Sequence, residues 1–214
     1  MASLIQDVWM GSEPRLRGRR LAPYEDAPVR IVFHPDLDQN LDDPDLASFL
    51  AALGTRVEVV AYEPRGQGGS GGRFGADALD DLRALVRTAP HRWPDGRPLV
   101  LAGHGVGAAI ALAVAAETDV KGLVCLGPGP PGPLAPFLTS LDLKGRITAL
   151  RVPVLVTLPN DGGEGPNPEW MGALQRQPLA TVLLIPGDPR AALRPPWPEV
   201  VATWAAFVAT ATAV

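Results

Sequence analysis

The chain has one cysteine, Cys125, in 214 residues. No disulfide can close within it, and such usage fits a reducing cytoplasm. Charge is sparse and mixed: charged residues make up 20% and the formal net charge is −4. No long basic run offers contacts to phosphates or to an anionic bilayer, so neither nucleic acid nor membrane is an expected partner. The one short basic cluster, Arg15, Arg17, Arg19 and Arg20, reads as the solvated edge of a strand or loop. Long apolar runs are missing too. The longest, Ala108 to Ala116, is too short to span a bilayer. The first ten residues already contain Gln6 and Asp7, where a secretory signal would be apolar. Histidine is scarce: only His34, His91 and His104 occur, and none follows the last predicted strand.

What remains is an ordinary globular composition, with 46% hydrophobic residues. The length suits one domain over 1–214 with a substantial core. Glycine and proline, 23 and 24 residues, fall between apolar runs and read as turn punctuation. Strands are expected at Val29–Phe33, Val57–Tyr62, Leu99–Ala102, Val120–Leu126, Val152–Leu158 and Thr181–Ile185. Helices are expected at Pro44–Leu53, Asp77–Thr88, Gly107–Glu117, Pro168–Gln175 and Glu199–Thr210. This alternation predicts an α/β fold with a mostly parallel central sheet flanked by helices on both faces. The stretch Gly127–Leu150, which contains Pro-Gly-Pro-Pro-Gly-Pro, is expected to be an irregular loop at the sheet's C-terminal edge.

Residues 97–113 carry the most specific local pattern. An apolar strand runs into Gly103-His104-Gly105-Val106-Gly107, and a helix of small residues runs out of it. That is the layout of a nucleophile elbow, Gly-x-Ser-x-Gly, with glycine where the serine would stand. The elbow's central residue has φ above zero, a geometry glycine adopts without a Cβ clash. The same turn, read as Gly103-x-Gly105-x-x-Ala108, also fits an anion- or nucleotide-binding turn whose N–H groups cradle a phosphate or carboxylate.

Several segments in order resemble the α/β-hydrolase superfamily. Val32-Phe33-His34-Pro35 is similar to the strand that ends near the oxyanion hole. Tyr62-Glu63-Pro64-Arg65-Gly66-Gln67-Gly68-Gly69-Ser70 is similar to Asp-x-Arg-Gly-x-Gly-x-Ser, with Glu63 for the aspartate. Val152 to Val156 followed by Asp161 is similar to the acid-bearing strand. Leu184 to Arg190 is similar to the segment that carries the histidine, and Pro198 to Phe207 to the last helix. The resemblance implies a minimal hydrolase fold without a cap domain. It places the triad at Gly105, Asp161 and Arg190, so that only the acid keeps a family residue.

Without an oxygen or sulfur at 105 nothing attacks an acyl carbon, and without a base at 190 nothing takes its proton. The expected function is therefore a non-catalytic pseudo-hydrolase that binds a small ligand or a protein partner. The expected binding residues are His34, Asp36, His104, Gly105, Val106, Asp161 and Arg190. The alternatives are an ester or acyl hydrolase with a mutated or misplaced nucleophile, and an anion-binding domain built on the Gly103–Gly107 turn. Further expectations are an Asp161–Arg190 ion pair, and an oxyanion hole formed by the N–H groups of Val106 and Asp36. Ser70 is expected to cap a turn and Cys125 to be a buried thiol. Trp170, Trp197 and Trp204 are expected to pack helices on the sheet. No cofactor or metal is implied, and a homodimer is possible through an edge strand.

Overall fold

The structure, a computed structural model, describes residues 3–11, 13–23, 26–128, 141–160 and 172–211. The elements in chain order are β1 Ser3–Met10, β2 Leu16–Pro23, β3 Arg30–His34, α1 Pro44–Leu53, β4 Glu58–Tyr62 and α2 Ala78–Arg92. They continue with β5 Leu99–His104, α3 Val106–Ala115, β6 Gly122–Leu126, α4 Leu143–Ala149, β7 Val154–Asn160, β8 Ala180–Pro186, a 3₁₀ turn Pro189–Leu193 and α5 Trp197–Ala211. Among the described residues the strands form one sheet in the order β1-β2-β4-β3-β5-β6-β7-β8. From β4 to β8 every pairing is parallel, whereas β1–β2 and β2–β4 are antiparallel.

The apolar runs of the sequence are the central strands. Every residue of β3, β4 and β6 is buried, because each strand has neighbours on both edges and helices on both faces. Alternate side chains divide between two cores. Val32, Val60, Leu101, Leu123 and Val154 face α2, α3 and α4. Ile31, Phe33, Val59, Ala61, Val100 and Leu155 face α1 and α5, with Trp197 and Trp204 packed alongside. At α1 the Asp43 carboxylate accepts hydrogen bonds from the N–H groups of Asp45 and Leu46, both at 3.1 Å, and Pro44 stands in the first turn. Side-chain cap and proline together start that helix where the sequence predicts it.

The winding reverses at β3. Helix α1 carries the chain from β3 to β4 on one side, and α2 carries it back past β3 to β5 on the other. A crevice outside the carboxyl ends of β3 and β5 is the expected ligand position in such a sheet. His34 of β3 lies opposite Gly103 of β5 at that edge.

Two elements depart from the expectations. The β1–β2 hairpin extends the sheet by two antiparallel strands. Strand β2 carries Arg17, Arg19 and Arg20 of the basic cluster expected at a solvated edge, but it lies between β1 and β4 and these side chains are half-buried in ion pairs. Most of β1 is solvent-exposed, which leaves no clean apolar alternation to read. Helix α4 lies inside the stretch expected to be irregular, with Ile147 as its only buried residue. Of the helix expected at Pro168–Gln175, residues 168–171 lie outside the described residues, and 172–174 are helical. No helix among the described residues is long and apolar enough to cross a membrane.

At the opposite, amino-terminal edge of the parallel strands sits a buried ion cluster. The Glu58 carboxylate, wholly buried, receives Arg20 at 2.6 Å, Arg30 at 2.9 Å and the Arg97 guanidinium. Arg30 also pairs with Asp95 at 2.6 Å and lies over the Trp93 ring. Burial pushes the Glu58 carboxyl up, and the hydrogen bonds from Arg30 and Arg20 more than reverse this, so its pKa sits below the ordinary value.

Candidate functional site

The elbow forms as its glycines require. Gly105 has φ 56 and ψ −122 and precedes the first residue of α3. A Cβ at Gly103 would overlap the Gly107 carbonyl, and one at Gly107 would overlap the backbone of His34 and Pro35. All three glycines are thus needed for strand, turn and helix to pack this closely. The turn is fastened to β6 by the Gly105 N–H, which donates to Leu126 O at 3.1 Å.

An acidic loop, rather than open solvent, meets this turn. The Asp36 Oδ1 accepts a hydrogen bond from the Val106 N–H at 3.0 Å and another from the Leu37 N–H at 2.8 Å. A Cβ built at Gly105 would overlap the same carboxylate. The start of α3 favours a carboxylate there, because its first N–H groups have no partner within the helix. The Asp36 N–H, expected as the second oxyanion donor, instead donates to Gln39 Oε1 at 3.2 Å. Contact with the elbow comes from the Asp36 side chain, and it comes as an acceptor.

Gln39, almost wholly buried, was not among the expected site residues. Its Oε1 also faces His104 Nδ1 at 3.0 Å. The other ring nitrogen of His104 faces Pro189 O at 3.0 Å. That approach is close because Gly127, at φ 46, leaves room: a Cβ there would stand 2.6 Å from Pro189 O. Burial lowers the His104 pKa; the Pro189 carbonyl, Asp36 and Asp38 oppose the shift and Arg190 adds to it. His34 is wholly buried, with Nδ1 2.8 Å from Pro35 O and its ring edge-on to Tyr62. Burial pulls its pKa down to about 4 against the Pro35 carbonyl and Asp36, so the ring is neutral at physiological pH. Both histidines are locked into the fold by these contacts.

Arg190 stands on the 3₁₀ turn after β8 and reaches across to the acidic loop. Its guanidinium pairs with Asp38 at 2.9 Å and with Asp43 at 3.4 Å. The hydrogen bond to Asp38 is the main reason its pKa is raised. Asp161, its expected partner, lies outside the described residues, as does Trp170.

The remaining candidates hold the frame. The buried Glu63 carboxylate accepts from Gly69 N–H at 2.6 Å, Leu41 N–H at 3.1 Å and Arg17 Nη1 at 3.1 Å. One carboxylate thus ties the glycine-rich loop after β4 to the acidic loop after β3. Ser70 Oγ donates to Glu63 O at 2.6 Å and accepts from Arg17 N–H at 2.8 Å. Its hydroxyl closes the loop after β4 and ties it to β2. Cys125 is wholly buried near Ala108 O, and burial raises its pKa, so it stays a thiol. Among the described residues no group of three or more His, Cys, Asp or Glu is arranged to hold a metal ion.

The sequence profile of one family, described as serine aminopeptidase, S33, matches residues 44–159. That segment runs from α1 through the elbow to β7, more than half of the chain. Similar solved structures include an alpha-beta serine hydrolase homologue from Coxiella burnetii. It is 19% identical, with 94% of this chain and 96% of that chain covered and a TM-score of 0.72. An esterase of Pyrococcus furiosus is 16% identical, with 98% and 91% covered and a TM-score of 0.75. Est1E from Butyrivibrio proteoclasticus, solved with ferulic acid bound, is 14% identical, with 94% and 96% covered and a TM-score of 0.73. At such identities the likeness is one of fold. No curated protein matches the chain by sequence.

Proposed function

Because the chain belongs to the serine aminopeptidase, S33 family of α/β-hydrolases, we propose that it is a non-catalytic member of that superfamily. In this reading it binds a small ligand or a protein partner at the vestigial site. One observation carries the proposal. The elbow has glycine at its centre, and the neighbouring N–H of Val106 holds the chain's own Asp36 carboxylate. An acyl oxygen would need that N–H, and an acyl carbon would need a nucleophile at 105. Arg190, at the base position, is tied to Asp38 and Asp43 and stays protonated through the physiological range.

A second reading has support from the fold. The elbow glycines keep a hydrolase backbone geometry, and the similar structures include esterases. In this reading the chain is an ester or acyl hydrolase with a mutated or misplaced nucleophile. The anion-binding reading draws on the same contact as the first, since the turn does hold a carboxylate, one supplied by the chain itself. Hydrolysis of a panel of activated short-chain esters, against a heat-killed control, separates these readings. The non-catalytic reading expects no turnover from the chain as it stands. Turnover well above the control would overturn it.

A further inference from the structure

We propose that Asp36 is a built-in occupant of the elbow, an autoinhibitory contact that the glycine at 105 admits and Arg190 helps to hold. Three separate parts of the chain converge on it. From the acidic loop comes the carboxylate, one oxygen of which takes two peptide N–H groups, those of Val106 and Leu37. From the elbow comes the space: a Cβ at 105 and the Asp36 carboxylate cannot coexist as placed. From the turn after β8 comes Arg190, which grips the same loop at Asp38 and Asp43. Gln39 stiffens the loop from within. Its N–H donates to Asp36 O at 3.2 Å, while its Oε1 takes the Asp36 N–H and faces His104.

The two departures from the triad, at 105 and 190, are therefore one arrangement rather than two losses. Each touches the loop 36–43, one by making room and the other by supplying charge. A carboxylate with one oxygen on the elbow N–H and the other beside residue 105 also has the shape of a bound carboxylic acid. Any carbonyl or carboxylate ligand that is to reach the Val106 N–H must displace Asp36. Serine restored at 105 would meet the plug before it met a substrate.

Thermal unfolding of a double-mutant cycle tests this directly, using Asp36→Ala, Gly105→Ala and the pair. In the wild-type background Gly105→Ala combines positive-φ strain with the overlap, and its midpoint falls by roughly 4–10 °C. In the Asp36→Ala background the overlap is gone, and the same change lowers the midpoint by about half as much or less. Equal drops in the two backgrounds would overturn the proposal. A small carboxylate supplies a second reading. Sodium acetate should raise the midpoint of Asp36→Ala above its value in sodium chloride of equal ionic strength, and leave the wild type unmoved. Acetate acting equally on both, or on neither, contradicts the plug. If alanine at 36 does not fold, Asp36→Asn keeps the shape and removes the charge. It should lower the midpoint by a few degrees, and an unchanged midpoint sinks the idea. None of these measurements reads ester turnover, so failure of the plug and failure of the non-catalytic reading are separate results.

Discussion

The two ends of the parallel strands hold buried or half-buried carboxylates by opposite means. At the amino-terminal edge Glu58 is surrounded by Arg20, Arg30 and Arg97. At the carboxyl edge Asp36 forms no ion pair among the described residues and rests on peptide N–H groups. Glu63, at the same edge, lies between: two N–H groups and one arginine. The first arrangement neutralises a charge so that strands can pack around it. The second fixes loops by their backbones, at the place where this sheet topology puts ligands. The difference separates charge used for stability from charge used to fill a site.

Removing Glu58 should have the largest effect. Glu58→Ala leaves three guanidinium groups without their shared partner, and a loss of about 3–5 kcal/mol is expected in denaturant unfolding. Its depressed pKa also sets a sign. The stabilisation is present above the ordinary carboxylate range and is lost as pH falls through the lower folded pKa. The acid limb of the stability curve should therefore be shallower in Glu58→Gln than in the wild type. An equally steep limb would mean that Glu58 does not carry it.

Glu63→Gln should cost less, about 1.5–3 kcal/mol, because the amide keeps an accepting oxygen for one of the N–H groups. If it costs as much as Glu58→Ala, the contrast drawn between the two edges is false. The smallest effect belongs to Arg190→Ala. Its side chain is 37% exposed, and an ion pair in that setting contributes about 0–1 kcal/mol. A loss above about 2 kcal/mol would show that Arg190 supports the fold rather than only steadying the acidic loop.

Much of the frame was legible in the sequence, and the reasons are local. The bounds of α1 follow from Asp43, Pro44 and Gly54, and the elbow from three glycines spaced two apart. The β1–β2 hairpin was not legible, because an edge strand exposed on most of its length shows little apolar alternation. Helix α4 was hidden by a glycine and by having a single buried side chain. At the site, the glycine at 105 and the arginine at 190 could be read as departures from a triad, but what they serve could not. The carboxylate that fills the elbow comes from a residue 70 positions earlier, and only the folded loop brings it there. The run of aspartates at 36, 38, 42 and 43 was the available signal, but in a sequence such a run is more often a solvated rim.

The amide proton of Val106, observed by nitrogen–proton NMR in the wild type and in Asp36→Asn, tests the central claim most directly. The account predicts a strongly downfield signal in the wild type, since that N–H donates to a carboxylate, and a clear upfield move when the charge is removed. The Leu37 amide should move in the same direction. A Val106 signal at an ordinary position, unchanged by Asp36→Asn, would mean that the elbow is empty and that Asp36 does not occupy it.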